Sequence, residues 1–246
     1  MNISKINLDF FNKASAALKN EPLFENKYPI LLAVSGGKDS MALLYYFAKK
    51  RKNIIAAHFN HAIRGKESDA DEKLVKKYCF DNSVPFVSAK ADIPLLSKKR
   101  KETLEHTARK ERYVFLEKAA RKYGCKIICT AHHADDNSET FLLNLLRGKD
   151  LKGLSGIPKK RILSEDICVF RPFLDISRKE IEVFVKVNKI PYSEDKTNKD
   201  EKYFRNWIRN TLIPLLETKQ PKIKEHINFY CSQIASFYKQ NQNNIK

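Results

Sequence analysis

Residues Leu31–Tyr46 read LLAVSGGKDSMALLYY, and the architecture follows from this stretch. An apolar, β-rich run breaks at Ser35 into Ser-Gly-Gly-Lys-Asp-Ser and resumes at once as an apolar helical pattern. In open parallel sheets, ligands bind beyond the carboxyl ends of the strands, where such strand-to-helix turns lie. Gly36 and Gly37 allow a close backbone approach that a Cβ would block, so successive N–H groups can line one concavity. Ser35 and Ser40 add hydroxyl donors, and the following helix places the positive end of its dipole on the same spot. The turn is shaped to hold an anion, most simply a phosphate.

Outward from this turn the pattern is regular. The β-rich runs are Ile30 to Val34, Ile54 to Phe59, Phe86 to Ala89 and Lys126 to Ala131, with a fifth at Cys168 to Phe173. Helical patterns separate the first four and follow the last of these at Asp39 to Lys50, Ser68 to Asn82, Glu102 to Tyr123 and Asp136 to Arg147. Such alternation predicts an α/β fold, a Rossmann-like parallel sheet of about five strands with helices on both faces. The first 28 residues read as an amphipathic helix and a linker, and the stretch from Gly148 to Asp166 as irregular. A helical C-terminal segment follows the sheet. Ser177 caps its first helix, which stops near Asn188 ahead of Pro191, and further helices span about Phe204 to Leu216 and Pro221 to Gln240. The expected organisation is a catalytic unit over residues 1–216 and a short basic helical tail over 217–246.

Composition narrows the class. A chain of 246 residues that is 42% hydrophobic can bury one substantial core. Its 47 Lys and Arg against 29 Asp and Glu give a formal charge of +18, spread along the chain, which attracts polyanions; a lysine-rich surface of biased composition gives the same charge. The five cysteines are odd in number and scattered, which speaks against a secreted disulfide framework. Cys125 and Cys129 are spaced CxxxC on and beside a β run, a poor metal pair. No apolar run approaches the roughly 20 residues that cross a bilayer, and the N-terminus lacks the apolar stretch of a signal peptide. The expectation is a cytoplasmic protein with no membrane partner.

The loop is neither G-x-x-x-x-G-K-[ST] nor G-x-G-x-x-G. Its S-G-G-x-D-S pattern resembles the signature of the ATP pyrophosphatases, the PP-loop family, whose fold is adenine nucleotide alpha hydrolase-like. The resemblance implies cleavage of ATP between the α and β phosphates, with adenylylation of the substrate. It assigns Ser35, Gly36, Gly37, Lys38, Asp39 and Ser40 to ATP. A carboxylate inside an anion site is best explained by a bridging Mg²⁺, so Asp39 is the expected metal contact; a first-turn acid that complements the helix dipole is the plainer alternative. Lys38 stands at the variable position of the motif as a candidate phosphate contact.

Five further segments, in order, resemble the tRNA(Ile)-lysidine synthetase family. They are HFNHAIRGKESDADE, LEHTARKERYVFL, TAHHADDNSETFLLNLLRG, EDKTN at Glu194 to Asn198, and RNWIRNTLIPLL from Arg205. The resemblance implies that ATP activates the C2 carbonyl of the wobble cytidine in the CAU anticodon of tRNA(Ile), after which free L-lysine displaces AMP. It places His132 in the ATP site, with His58 at the corresponding edge of the second strand. It also gives Asp136 and Glu139 the lysine, turns Arg112 toward a nucleotide or RNA phosphate, and sets Arg205 and Asn206 near the substrate. Asp39, Lys38, Arg112 and Arg205 form the expected catalytic set. ATP as substrate and Mg²⁺ are the expected small partners.

Each assignment has a plainer competitor. Asp135 and Asp136 also suit a helix start, and Arg109 and Arg112 also suit pairing with Glu105 and Glu111. The His58-x-x-His61 spacing invites zinc, but no third and fourth ligand is identifiable, so neither zinc nor an iron–sulfur cluster is expected. Tyr203, Phe204 and Trp207, amid Lys202, Arg205 and Arg209, are expected to close a helical core more than to stack bases. Many lysidine synthetases carry additional C-terminal domains; the expectation here is a short form ending in a basic helix with Lys219, Lys222 and Lys224. Either the basic core compensates through phosphate contacts or the enzyme acts as a homodimer. A tRNA thiolase of the same superfamily is the nearest alternative, against which Cys125 and Cys129 are misspaced. An NAD or GMP synthetase fits poorly with +18, and a silent RNA-binding scaffold with intact Asp39, Asp136 and Glu139.

Overall fold

The computed structural model describes residues 3–19, 21–24, 28–50, 53–194 and 203–241. Its centre is a six-stranded sheet of β1 (Ile30–Ala33), β2 (Ile54–Asn60), β3 (Phe86–Lys90), β4 (Ile127–Cys129), β5 (Lys160–Ser164) and β6 (Ile167–Phe170), in the order β3-β2-β1-β4-β6-β5. Five strands are parallel, as the alternation predicts, while β5 pairs antiparallel with β6 at one edge. The stretch read as irregular thus supplies the sixth strand of a hairpin. Its pattern is hidden because β5 is an edge strand with no buried residue, and its apolar Ile162 is 75% exposed.

The helices in chain order are α1 (Ile3–Leu18), α2 (Lys38–Lys50), α3 (Lys66–Asp81), α4 (Ile93–Arg100), α5 (Leu104–Lys122), α6 (Ala134–Leu146), α7 (Leu151–Leu154), α8 (Arg178–Val187), α9 (Phe204–Trp207), α10 (Ile213–Lys219) and α11 (Ile223–Asn241). Side chains of successive strand residues point to opposite faces, and β1 shows both faces covered. Ile30 and Leu32 join the core beneath α1, α2 and α8, where Phe10 and Phe184 stack with centroids 3.8 Å apart. Leu31 joins the second core, with Ile128 and Val169, against Leu116 and Ala120 of α5. A third cluster, Leu142, Ile208, Ile213, Ile227 and Cys231, packs α10 and α11 onto α6. Each such aliphatic or aromatic side chain contributes about 1.5–3 kcal/mol when fully buried.

Two local features depart from expectation. The helix expected over Phe204 to Leu216 is interrupted by a π-helical turn, Ile208–Leu212, in which the Ile213 N–H donates to the Ile208 carbonyl. Pro214 follows at once; lacking an N–H, it cannot continue the regular ladder, and the chain widens one turn ahead of it. The helix α4, absent from the sequence pattern, begins at an Asp92 cap with Pro94 in its first turn. Ser177 does cap α8, and with Glu180 it completes a capping box.

Candidate active site

The Ser35–Ser40 turn lies at the carboxyl edge of the central strand β1 and leads into α2. Gly36 has φ +94°, and a Cβ there would sit 3.3 Å from Asp71 Cβ, so this position needs a residue without one. Asp71 is held from the far side by Arg64 at 2.6 Å. The turn is braced from within: the Ser35 N–H donates to Ser40 Oγ at 3.1 Å, and the Ser40 hydroxyl donates to the Gly37 carbonyl at 2.9 Å. It is braced from outside by the Ser193 N–H, which donates to the Gly36 carbonyl at 2.9 Å. Of the EDKTN segment only Glu194 lies within the described residues; residues 195–198 lie outside them, as does Lys202.

A cleft of about 430 Å³ opens beside the turn. Ser35, Gly37, Asp39 and Ser40 line it with Arg112, His132, Asp136 and Arg205, so residues from four separate segments converge on one space. Of the remaining expected ATP contacts, Gly36 supplies the bend, and His58 lines an adjoining cavity of about 420 Å³. The buried His58 ring is committed to the fold: Nδ1 donates to the Val34 carbonyl at 2.9 Å, tying β2 to the residue before the turn. Lys38 turns away from the cleft, reaching Glu182 at 3.2 Å and lying 5.2 Å from the Tyr192 ring centre.

The group that joins the turn to α6 is His133, which the sequence reading left without a role. It is 3% exposed and caps α6: Nδ1 accepts from the Asp136 N–H at 3.3 Å, while the Asp136 carboxylate accepts from the His133 N–H at 3.1 Å. Nε2 faces Asp39 at 3.7 Å and Asp136 at 3.5 Å. Since Nδ1 accepts, Nε2 carries the proton and points between the two carboxylates. Burial opposes a charge on this ring, but hydrogen bonding to Asp39 and the charges of Asp136, Asp39 and Asp135 outweigh it and raise its proton affinity. Burial likewise opposes ionisation of Asp39, and His133, Arg178 and Lys38 together hold its carboxyl below the usual range.

Asp136 and Glu139 do share one face of α6, yet their surroundings differ. Asp136 lines the cleft. Glu139 is 2% exposed and held bidentately by Arg209, with Nε to Oε1 at 2.5 Å and Nη2 to Oε2 at 2.8 Å. Arg205 also approaches Glu139 at 3.5 Å and donates to the Thr140 hydroxyl. Glu139 is thereby already matched by a cation from the π-helical turn. Asp135 does structural work, accepting from the Arg178 N–H and from Lys224, both at 2.8 Å, which clamps α6 to α8 and α11.

The alternative of pairing Arg109 and Arg112 with Glu105 and Glu111 is not seen among the described residues. Glu111 pairs with Arg100 instead of Arg109 or Arg112. Trp207 packs against the third cluster as expected, but Tyr203 and Phe204 are 52% and 39% exposed, and Tyr203 lines the smaller cavity. All five cysteines are free and buried. Among the described residues no group of three or more His, Cys, Asp or Glu side chains is arranged to hold a metal ion, and no helix is long and apolar enough to cross a membrane. His132 pairs Nδ1 with the Thr130 hydroxyl at 2.9 Å. Burial, then the charges of Arg171, Arg112, Arg109 and Arg205, push its pKa down to about 3, so the ring is neutral.

Known proteins resemble this arrangement. The family model described as the PP-loop domain matches residues 7–216. The chain is 39% identical over 221 residues to a tRNA(Ile)-lysidine synthase of Petrotoga mobilis, covering 88% of this chain and 69% of that protein. It is 36% identical over 215 residues to that of Porphyromonas gingivalis, covering 87% of this chain and 46% of that protein. The chain thus spans about half the length of several curated relatives that it matches. In fold it is similar to a U34-tRNA thiolase from Methanococcus maripaludis solved with its [4Fe-4S] cluster, with a TM-score of 0.76 at 18% identity over 94% of this chain and 80% of that one.

Proposed function

The chain belongs to the PP-loop family of tRNA(Ile)-lysidine synthases, and from that premise we propose that it joins L-lysine to C2 of the wobble cytidine of a CAU anticodon, with ATP as activator. The observation that carries the reading is the chain of contacts Asp39–His133–Asp136, which joins an anion-binding turn to a carboxylate on the wall of the same cleft. One cleft thereby has the groups for both halves of the reaction.

In the first half, the N–H groups of the turn and of the start of α2 that its own bracing leaves unspent receive the β and γ phosphates. Asp39, held ionised at the edge of the turn, fits a Mg²⁺ that takes most of its ligands from phosphates and water. When bound, that ion neutralises charge on the departing pyrophosphate. His132 stays neutral beside the arginines, so its free Nε2 can hydrogen-bond the nucleotide without adding charge. Arg112 and Arg205 line the cleft, where their charge favours attack of the C2 oxygen on the α-phosphorus.

In the second half, the ε-amino group of lysine attacks C2, AMP leaves, and the nitrogen loses its proton. Glu139 and Arg209 together are near neutral, so Asp136 is the open charge in this corner and matches a single ammonium. The His133 Nε2–H lies between the Asp136 and Asp39 carboxylates and offsets their mutual repulsion.

The test measures pyrophosphate release and radiolabelled lysine incorporation by the whole chain with Mg-ATP and a CAU-anticodon tRNA(Ile) transcript, beside a transcript with uridine at the wobble position. Incorporation that vanishes with uridine is the expected result. Pyrophosphate release without incorporation would point to another adenylylating base modification such as thiolation, and the buried, free cysteines speak against that alternative.

A further inference from the structure

At the same edge of the sheet as the phosphate-binding turn, four arginines gather around one phenol. Arg109 and Arg112 come from α5, Arg161 from the start of the antiparallel β5, and Arg171 from the residue after β6. The guanidinium carbons of Arg109, Arg112 and Arg161 lie 5.1, 5.5 and 4.9 Å from the Tyr113 ring centre. Arg171 is 2% exposed; its Nη1 donates to the Pro158 carbonyl at 2.5 Å while its Nε has no partner. The Arg161 Nε is likewise buried without a partner, and Tyr113 itself is 8% exposed. Among the described residues, none of the four arginines has a carboxylate within 4.0 Å; the nearby Glu111 is taken by Arg100.

Four cations around one ring are not compensated by that ring. A cation–π contact contributes about 0.5–2 kcal/mol, whereas withdrawing an ion from water costs several. Their field reaches neighbouring groups: it lowers the Tyr113 pKa against the opposing effect of burial and keeps His132 neutral. A cluster with unpartnered donors and no counter-charge calls for an anion. Its opening is set by Arg109, which is exposed and, with Arg112, lines the main cleft. The pyrophosphate end of ATP already has its own site at the turn leading into α2, on the opposite face of the sheet from α5.

We propose that Arg109, Arg112 and Arg161, arranged around Tyr113 and backed by the charge of the buried Arg171, form a second anion site that grips a backbone phosphate of the RNA beside the nucleotide being modified. Planar guanidinium groups suit the paired oxygens of a phosphodiester, and several on one phosphate fix the position of the strand without reading its sequence. The site thus sets register, delivering the base to the cleft while the turn delivers ATP. This inference rests on the reading that the cleft acts on RNA.

The experiment compares the whole chain with Arg161→Gln and, as a control for net charge, Arg121→Gln, whose arginine pairs with Glu117 and Asp166 on the surface. Binding of a CAU stem-loop RNA is measured across a salt series, and binding of ATP separately. The expected result is that Arg161→Gln weakens RNA binding several-fold and lowers the slope of log K against log salt by about 0.7, the loss of one single-strand phosphate contact. ATP affinity stays within about two-fold, and Arg121→Gln leaves the RNA slope unchanged. A loss of ATP affinity with RNA binding intact would overturn the inference and give the cluster to the nucleotide. An unchanged slope in a folded Arg161→Gln, or an equal fall in Arg121→Gln, would also overturn it. A wild-type chain that binds no RNA would refute the RNA reading itself, an outcome distinct from all of these.

Discussion

Acid should destabilise this protein through two histidines that fold uncharged beside arginines. His61 sits edge-on to Phe59 with centroids 4.8 Å apart, and its Nδ1 is buried without a partner. Burial, then the charges of Arg112, His58 and Arg64, push its pKa down to about 4 from an ordinary 6.5, and His132 is pushed to about 3. Below pH 6.5 the unfolded chain takes up protons that the folded chain refuses, so stability falls as pH drops from 6.5 toward 4. At pH 5 each ring contributes a loss of about 2 kcal/mol relative to neutral pH, or about 4 kcal/mol together. His133 works in the other direction. Its raised folded pKa adds stability as it protonates, fully present below 6.5, and so reduces the net loss.

The perturbation that isolates one part is His61→Gln, read by urea unfolding of the whole chain at several pH values between 7.5 and 5. The substitution removes the titrating ring, so the loss between pH 7.5 and 5 should shrink by about 2 kcal/mol relative to wild type. Its offset at pH 7.5 reports packing and is not the readout. Parallel pH profiles for wild type and His61→Gln would refute the reasoning, because they would mean that His61 titrates alike in the folded and unfolded chains.

Three substitutions probe the cleft. Asp39→Asn keeps the size and removes the charge; pyrophosphate release should fall about a hundred- to a thousand-fold with little change in unfolding midpoint, as measured by a coupled phosphate assay. Asp136→Asn retains an oxygen to cap the His133 N–H, so adenylylated RNA should still form while lysine incorporation stops; equal loss of both steps would count against the division of labour along α6. Gly36→Ala places a Cβ 3.3 Å from Asp71 in a left-handed conformation, which should cost about 1–3 kcal/mol in urea unfolding and weaken ATP binding as the turn shifts.

What the sequence could reveal tracks how local each signal is. The four strand-to-helix alternations and the Ser177 cap were readable because each is a pattern within a few residues. Strand β5 was hidden because it buries no residue fully and leaves its apolar Ile162 on the exposed face. The turn, Asp39 and Asp136 were legible as residue types at fixed spacing. The capping role of His133 was not, because imidazole is an uncommon N-cap and its partner Asp39 arrives from a different βα unit. Nor could a pattern show that Lys38 turns to Glu182 or that Tyr203 stays exposed, since these depend on which helix packs alongside.

The state of Glu139 shows most clearly why a site needs more than its carboxylates. Spacing along α6 makes Asp136 and Glu139 look equivalent, yet Arg209 satisfies only Glu139 fully, with two bonds at 2.5 and 2.8 Å against a single 3.5 Å approach to Asp136. That asymmetry originates in Pro214. The missing N–H opens the π-helical turn at Ile208–Leu212, and Arg209 lies within that turn where it meets α6. A buried carboxylate without such a partner would carry a desolvation cost of several kcal/mol. Arg209 therefore holds Glu139 in place, and leaves Asp136, at the cleft wall and tied to the turn through His133, as the less fully paired of the two carboxylates.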